Sequence, residues 1–246
     1  MKERGLIAII PIKGTIASEE LYFGLGSTSH EIIGAIEGVE KKRKIKAVIF
    51  EINSPGGTPF ASKEVATYIE GMKKPTIAWL REYATSGAYW IASACDEIVA
   101  DELSTVGSIG VMSIRPDIGE LLKKFGIDVE TLKTGIYKGL GLPYEKPTEE
   151  ERALLRKELD EIKDNFLNAI AKNRKLDEET LKELSTGKVY LGREAKELGL
   201  IDHLGGKKLA TRRAKELSGP KREKIVRYGE RRRKGFLRRL IEEMLR

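Results

Sequence analysis

The stretch KAVIFEINSPGG, residues 46–57, contains the pattern that decides the fold. Its first part, KAVIFEIN, is nearly all apolar, which is typical of a strand buried on both faces of a parallel sheet. The following SPGG favours a turn, because proline and glycine end strands and supply the backbone conformations that tight turns need. The sequence therefore predicts a central strand over residues 46–53, with a glycine turn directly behind it.

Strand-like and helix-like patterns alternate on both sides of this stretch. They predict further strands over residues 6–16, 76–80 and 97–100, and helices over residues 29–44, 61–74 and 86–95. Strands that alternate with helices predict right-handed crossovers and a mostly parallel sheet flanked by helices, which is an α/β fold.

The second half of the chain is mainly helical. Pro147, Thr148 and the glutamates after them form a typical helix start and predict a helix over residues 147–174. Shorter helical patterns follow at residues 177–187, 192–199 and 205–219. No linker rich in proline, glycine or serine divides residues 1–220, so we expect one domain there and a separate tail over residues 221–246.

The positive charge of the chain is concentrated in this tail. The formal net charge is +7, and residues 221–246 alone carry 11 Lys and Arg against 4 Glu. The body is therefore neutral overall, and we expect no nucleic-acid partner. The chain also contains no Gln and is rich in Lys, Glu and Arg, a balance that is typical of thermophile proteins.

The tail also contains an amphipathic pattern. In FLRRLIEEML, residues 236–245, the apolar residues fall on one helical face, and the basic run RRRK precedes them at residues 231–234. Such a segment favours contact with an anionic membrane surface, and packing on a neighbouring subunit is the alternative. We expect a membrane-associated protein, held by this tail or by an anchor outside the sequence, with a cytoplasmic location as the alternative.

Two turns follow neighbouring predicted strands and define a candidate site. SPGG lies behind one strand, and TSGAYWIA, residues 85–92, follows the next. Because ligands bind beyond the carboxyl ends of parallel strands, both turns are expected at the same edge of the sheet. Ser86 at the head of a helix is the candidate nucleophile, and the backbone N–H groups of Gly57 and Gly87 are candidates for an oxyanion hole.

Other serines and both histidines fit a catalytic role less well. Ser54 lies inside the turn itself, and Ser93 lies two turns into the helix, away from its start. The motif A-T-S-G-A differs from the G-x-S-x-G elbow of lipases and esterases. His30 and His203 lie in no recognisable motif, so we interpret both as structural or surface residues. The single cysteine, Cys95, is interpreted as a small buried apolar residue.

A resemblance becomes specific at this point. INSPGG followed by a serine at the head of a small-residue helix resembles the Clp-protease/crotonase fold, a spiral of repeated β-β-α units. A Clp subunit would carry a histidine about 25 residues after its serine, but STVGSIGVMS, residues 104–113, contains none. Over residues 5–215 the chain is more similar to the signal peptide peptidase A family, in the SPGG turn and in ordered blocks at residues 85–101, 104–111, 128–152 and 187–206.

This family resemblance implies a serine endopeptidase with a Ser-Lys dyad. It implies that Ser86 is the nucleophile, that Lys138 in TGIYKG is the general base, and that Ser108 orients the lysine. A lysine with the ordinary pKa of about 10.4 is protonated at neutral pH, so we expect the apolar neighbours of Lys138 to desolvate it and lower that value. Lys133 and Lys146 are the rival bases.

The resemblance also implies the substrates and partners. Family members hydrolyse remnant signal peptides and other unstructured polypeptides, and they form closed ring or dome homo-oligomers. No metal and no other cofactor is implied. Two alternatives stay open: an acyl-CoA hydratase or hydrolase of the crotonase type, which would need paired carboxylates near the oxyanion hole, and a non-catalytic scaffold of the same fold.

Overall fold

The computed structural model describes residues 5–19, 26–219 and 223–229. In chain order, its strands are β1 Gly5–Lys13, β2 Thr15–Ala17, β3 Gly26–Thr28, β4 Ile45–Ser54, β5 Thr76–Thr85, β6 Glu97–Ala100, β7 Thr105–Gly107, β8 Val189–Leu191, β9 His203–Leu204 and β10 Glu223–Arg227. Its helices are α1 Ser29–Glu40, α2 Pro59–Glu70, α3 Gly87–Ser93, α4 Gly119–Lys124, α5 Glu149–Arg174, α6 Glu178–Leu184, α7 Gly192–Glu197 and α8 Lys207–Ser218.

The main sheet is almost entirely parallel. Its strand order is β10-β1-β4-β5-β6-β9, and β7 joins it by pairing with the end of β5 and with β8. Within the described residues only the β7–β8 pair is antiparallel, and β2 and β3 form a small parallel sheet of their own. The predicted α/β fold with a mostly parallel sheet and flanking helices is confirmed.

The central strand β4 is buried on both faces, as its apolar sequence predicts. Its residues Val48, Phe50 and Ile52 face the larger core, which is completed by side chains from α1, α2, α3 and α5. Its alternate residues Ala47 and Ile49 face a second core, which is completed by α8. The strand alternation of side chains thus places helices on both sides of one sheet.

One charged residue interrupts this apolar strand. Glu51 is 1 % exposed, and its carboxylate accepts hydrogen bonds from Arg81 on β5, at 3.0 Å, and from Arg227 on β10, at 2.9 Å. A buried charge is tolerated only when it is paired, and here two guanidinium groups supply the pairing. Glu51 thereby connects three strands of the sheet.

The structure corrects several predicted boundaries. Gly14 adopts a φ of 66° and breaks the predicted strand 6–16 into β1 and β2. The strand predicted to end at residue 80 continues to Thr85. Pro147 lies outside α5, because Thr148 is the N-cap and forms a capping box with Glu151.

We call residues 111–148 the arm. Helix α4 is its one regular element, in a range of which every residue is described. Hydrogen bonds within the arm hold it together, such as that from Arg115 to the carbonyl of Leu142 at 2.6 Å. Nine of its large apolar side chains are nevertheless exposed: Met112, Ile114, Leu121, Phe125, Ile127, Val129, Leu132, Ile136 and Tyr137.

The predicted tail falls only partly within the described residues. The strand β10, at residues 223–227, belongs to the range 221–246 and pairs in parallel with β1. The amphipathic segment 236–245 lies outside the described residues. No helix among the described residues is long and apolar enough to cross a membrane.

The long helix α5 is attached to the core by its second half, which gives a stability prediction. Phe166 stacks on Trp90 of α3, with ring centroids 4.6 Å apart, and Ile170 is fully buried. We expect Ile170→Ala to lower the free energy of unfolding by about 2–5 kcal/mol through lost burial and a cavity. Leu154→Ala, at a position on the same helix that is 39 % exposed, should change it by less than about 1 kcal/mol. Urea denaturation measures both, and equal effects would contradict this account of the core.

Candidate active site

Strand β5 changes partners immediately before the candidate nucleophile. Up to Leu80 it pairs with β6, and from Tyr83 to Thr85 it pairs with β7. The strand therefore leaves its first neighbour and carries Ser86 to the edge where β7 ends. This change of neighbours, which the sequence did not reveal, sets the position of the site.

Ser86 has a strained backbone conformation. Its φ is 53° and its ψ is −130°, and it is the N-cap of α3. Its N–H donates to the carbonyl of Gly107 at 2.8 Å, and its carbonyl accepts from the N–H groups of Tyr89 and Trp90. A positive φ is uncommon for a residue with a side chain, and such strain is concentrated at functional sites. The half-buried Ser86 is thus held by contacts on both sides in the turn between β5 and α3.

The turn after β4 lies against the turn that carries Ser86. Ile16 of β2 donates to the carbonyl of Gly56 at 2.9 Å and accepts from the N–H of Thr58 at 2.8 Å. In such a parallel bridge the residue between the two bonded groups, Gly57, directs its own N–H away from β2. A Cβ built on Gly87 would lie 3.5 Å from the nitrogen of Gly57. The two glycines are therefore neighbours.

Both of these N–H groups are available to a ligand. Within the part of the chain that the structure describes, neither Gly57 nor Gly87 uses its N–H in a hydrogen bond. Gly57 is exposed, so a substrate can reach it. Two adjacent donors beside a serine hydroxyl form the arrangement that stabilises the oxyanion of acyl transfer.

Close packing explains why glycine occupies these positions. A Cβ on Gly57 would lie 1.8 Å from the carbonyl oxygen of Ile16, and one on Gly87 would lie 2.1 Å from the hydroxyl of Ser62. Gly56 has a φ of 103°, and a Cβ there would lie 2.8 Å from the carbonyl oxygen of Thr85. A side chain at Gly57 would displace β2, one at Gly87 would displace α2, and one at Gly56 would separate the turn after β4 from the turn before α3.

Ser108 lies close to the candidate nucleophile. It follows Gly107, whose carbonyl accepts the N–H of Ser86, and it also has a φ of 53°. Its own N–H donates to the carbonyl of Lys188 at 2.8 Å. The structure thus brings Ser86, Ser108 and the two glycine N–H groups to one edge of the sheet.

The rival serines have structural hydrogen bonds. The Ser54 hydroxyl donates to the carbonyl of Gly14 at 2.6 Å and accepts from the N–H of Gly56 at 3.0 Å. The Ser93 hydroxyl donates to the carbonyl of Trp90 at 2.7 Å. Both residues are buried, so neither hydroxyl is presented to a substrate.

The histidines and the cysteine lie outside this arrangement. His30 is exposed on α1. The Nε2 of His203 lies 3.1 Å from the carboxylate of Glu97, whose pKa is lowered mainly by the hydrogen bond from Arg213. Burial raises the pKa of the Cys95 thiol, as expected of a structural cysteine. No group of three potential metal ligands occurs among the described residues.

The arm carries the predicted base, Lys138, in an open position. Its N–H closes a turn with the carbonyl of Gly135 at 3.0 Å, and its side chain is exposed. Within the described residues the Lys138 side chain makes no hydrogen bond or ion pair, with Ser86 or with any other residue. The expectation that its own neighbours desolvate it is wrong for the single chain, because the arm lies open to solvent.

The two rival lysines are ion-paired, which distinguishes them from Lys138. The Nζ of Lys133 lies 2.7 Å from the carboxylate of Glu145, and this hydrogen bond raises the pKa of Lys133. The Nζ of Lys146 lies 3.8 Å from the carboxylate of Asp117. Pairing with a carboxylate favours the ammonium form, which cannot accept a proton.

Comparisons with known proteins agree on one family. The model of peptidase family S49 matches residues 70–221. A protein of Methanocaldococcus jannaschii described as a protease is 36 % identical over 206 residues, which are 83 % of this chain and 66 % of that protein. A protein of Enterococcus faecium described as a signal peptide peptidase is 34 % identical over 205 residues, which are 81 % of this chain and 60 % of the relative. The chain thus spans about two thirds or less of these relatives' length.

A solved structure shows the same fold. It is a lysine-to-alanine variant of a membrane-bound stomatin-specific protease in complex with a substrate peptide, with a TM-score of 0.56. The match covers 98 % of both chains at 15 % identity.

The fit of Gly57 against β2 gives a second prediction. We expect Gly57→Ala to lower the free energy of unfolding by about 1–3 kcal/mol, because the new Cβ overlaps the backbone of Ile16 and the turn must move. Gly34→Ala is the control, since a Cβ there meets nothing within 4 Å on the helix α1. It should raise the free energy of unfolding by about 0.5–1 kcal/mol. Thermal denaturation compares the two, and an unchanged or raised stability of Gly57→Ala would contradict the described turn.

Proposed function

The chain belongs to peptidase family S49, and from this premise we propose that it is a serine endopeptidase in which Ser86 is the nucleophile and Lys138 the general base. The observation that carries the proposal is the arrangement around Ser86. A serine with a positive φ lies at a helix start beside Gly57 and Gly87, whose backbone N–H groups have no acceptor among the described residues.

The chemistry follows from these groups. A neutral amine of Lys138 accepts the proton of Ser86 as its Oγ bonds to the carbonyl carbon of the scissile peptide. The N–H groups of Gly57 and Gly87 stabilise the resulting oxyanion. The C–N bond then breaks, and the leaving amine takes the proton from the lysine. A water molecule then attacks the carbonyl carbon of the acyl-enzyme and gives a proton to Lys138. The ester bond to Ser86 breaks, the lysine returns the proton to the Ser86 Oγ, and the carboxylic acid product leaves.

To act as a base, Lys138 needs a protein surface that shields its amine from water, and the single chain does not supply one. The arm around it exposes nine large apolar side chains, and patches of this kind mark surfaces that associate. We propose that the arm packs against a second copy of the chain in a closed homo-oligomer. That packing would remove water from Lys138 and bring a lysine, from the same or the neighbouring copy, to Ser86.

The substrates that fit this site are extended peptides. The Gly57 donor lies on an exposed turn, which an extended peptide backbone can reach. The described activity of the Enterococcus faecium relative and the peptide bound in the solved structure support remnant signal peptides and other unstructured polypeptides as substrates. The family membership favours this activity over acyl-CoA chemistry of the crotonase type.

The dyad is tested by substitution. We expect Ser86→Ala and Lys138→Ala each to lower kcat/KM for signal-peptide fragments by at least about a thousandfold. Lys133→Ala, on the same arm, should stay within about threefold of the original chain. A fluorophosphonate label should react with the original chain and not with Ser86→Ala. Labelling of the Ser86→Ala variant would contradict the assignment of Ser86 as the nucleophile. If the unsubstituted chain is never labelled, the non-catalytic scaffold is favoured.

The pH profile tests the base in the same assay. Because an amine accepts a proton only when it is neutral, kcat/KM should rise with pH through the neutral range. Activity that is lost only below about pH 4 would indicate a carboxylate base instead.

We further propose that the segment 236–245 contacts anionic membranes. Changing Leu240 and Ile241 to Ser should reduce co-sedimentation with phosphatidylglycerol vesicles at least fivefold, because it removes apolar area from one face. Changing Glu242 and Glu243 to Ser, on the opposite face, should leave binding equal or stronger. Equal binding of all three chains would contradict membrane contact by this segment.

A further inference from the structure

Strands β4 and β5 lose their regular register directly before the candidate site. Ile52 lies opposite Leu80, but Ser54, two residues later, lies opposite Ala84, four residues later. Strand β5 therefore contains two extra residues in this interval, which is a β-bulge. Bulges bend a strand and re-aim the residues after it, and they are frequent next to active sites.

A side chain replaces the backbone acceptor that the bulge removes. The Oδ1 of Asn53 accepts hydrogen bonds from the N–H groups of Glu82 at 3.1 Å and Tyr83 at 3.2 Å. One side-chain oxygen thus binds two consecutive backbone donors of the bulge. Since unpaired backbone groups are costly, this contact fixes the shape of the bulge.

Asn53 also connects the bulge to the oxyanion turn. Its carbonyl accepts the N–H of Gly14 at 3.1 Å, next to the strand that supports Gly57. Beyond the bulge, the Thr85 hydroxyl donates to the carbonyl of Pro55 at 3.1 Å. Hydrogen bonds at Asn53 and at Pro55 therefore join the segment 53–57 to the segment 83–86.

On this basis we infer that Asn53 is a positioning residue for Ser86. Its carboxamide oxygen sets the bulge, and the bulge sets the distance between the Ser86 hydroxyl and the N–H groups of Gly57 and Gly87. This inference rests on the proposed function, since it concerns the same nucleophile. A displacement of about 1 Å between reacting groups can lower a rate by about a hundredfold.

The test compares variants that keep or remove the acceptor. Asn53→Leu has nearly the same size but no acceptor, whereas Asn53→Asp keeps an oxygen at the same reach. We expect Asn53→Leu to lower kcat for peptide cleavage about 30- to 100-fold with KM within threefold, and to slow fluorophosphonate labelling equally. Asn53→Asp should recover kcat to within about fivefold. If Asn53→Leu does not fold, Asn53→Ala makes the same comparison.

A control at the other end of β5 separates positioning from stability. The Oδ2 of Asp96 accepts the N–H of Thr76 at 2.8 Å, also from a side chain to the backbone of this strand. Asp96→Leu should lower the melting temperature but leave kcat within twofold at temperatures where it is folded. All rates are therefore measured well below the melting temperature of each variant.

The outcomes separate this inference from the proposed function. If Asn53→Leu and Asn53→Ala keep kcat within threefold, or if Asn53→Asp loses as much as Asn53→Leu, Asn53 is not a positioning residue, while the loss of activity in Ser86→Ala still supports the nucleophile. If Ser86→Ala stays active, both are overturned. Loss in Asn53→Leu with recovery in Asn53→Asp supports the positioning role.

Discussion

The pairing of β4 with β5 is the constraint on which the site depends. One turn of the site follows β4 and the other follows β5. The pairing of these two strands therefore sets the distance between Gly57 and Ser86. These strands are packed between helices on both faces, and their main chains cannot move independently. The positive φ of Ser86 persists because its N–H and its carbonyl are both fixed by hydrogen bonds.

The arm differs from the sheet, because it is not packed between other elements of the fold. It is held by local contacts such as the hydrogen bond from Arg115 to the carbonyl of Leu142, and it exposes nine large apolar side chains. The sheet holds the proposed nucleophile and the proposed oxyanion donors, whereas the proposed base lies on a segment that needs a further surface to pack against. Assembly would then complete both the burial of the arm and the catalytic pair.

The spacing of apolar residues and the glycines of tight turns predicted part of the fold. The buried strand at 46–53, the helix α3 and the glycine turn behind the strand were all predicted, because full burial and tight turns restrict residue type strongly. The extension of β5 past Leu80 was missed, since Arg81, Glu82 and Tyr83 form a bulge with no strand-like alternation. The role of Asn53 was missed for the same reason: one polar residue at a strand end carries no periodic signal. The exposure of Lys138 was missed, because apolar neighbours in sequence indicate burial only if they themselves are buried.

The central claim is that Ser86, the two glycine N–H groups and Lys138 act on one peptide bond. A crystal structure of the full chain with a peptide boronate measures this directly. We predict a covalent bond from boron to the Ser86 Oγ, with a boronate oxygen about 2.7–3.1 Å from the nitrogens of Gly57 and Gly87. The Nζ of Lys138, from the same or a second copy, should lie within hydrogen-bond distance of that Oγ. A boronate bound elsewhere, or another side chain in the place of this lysine, would contradict the account.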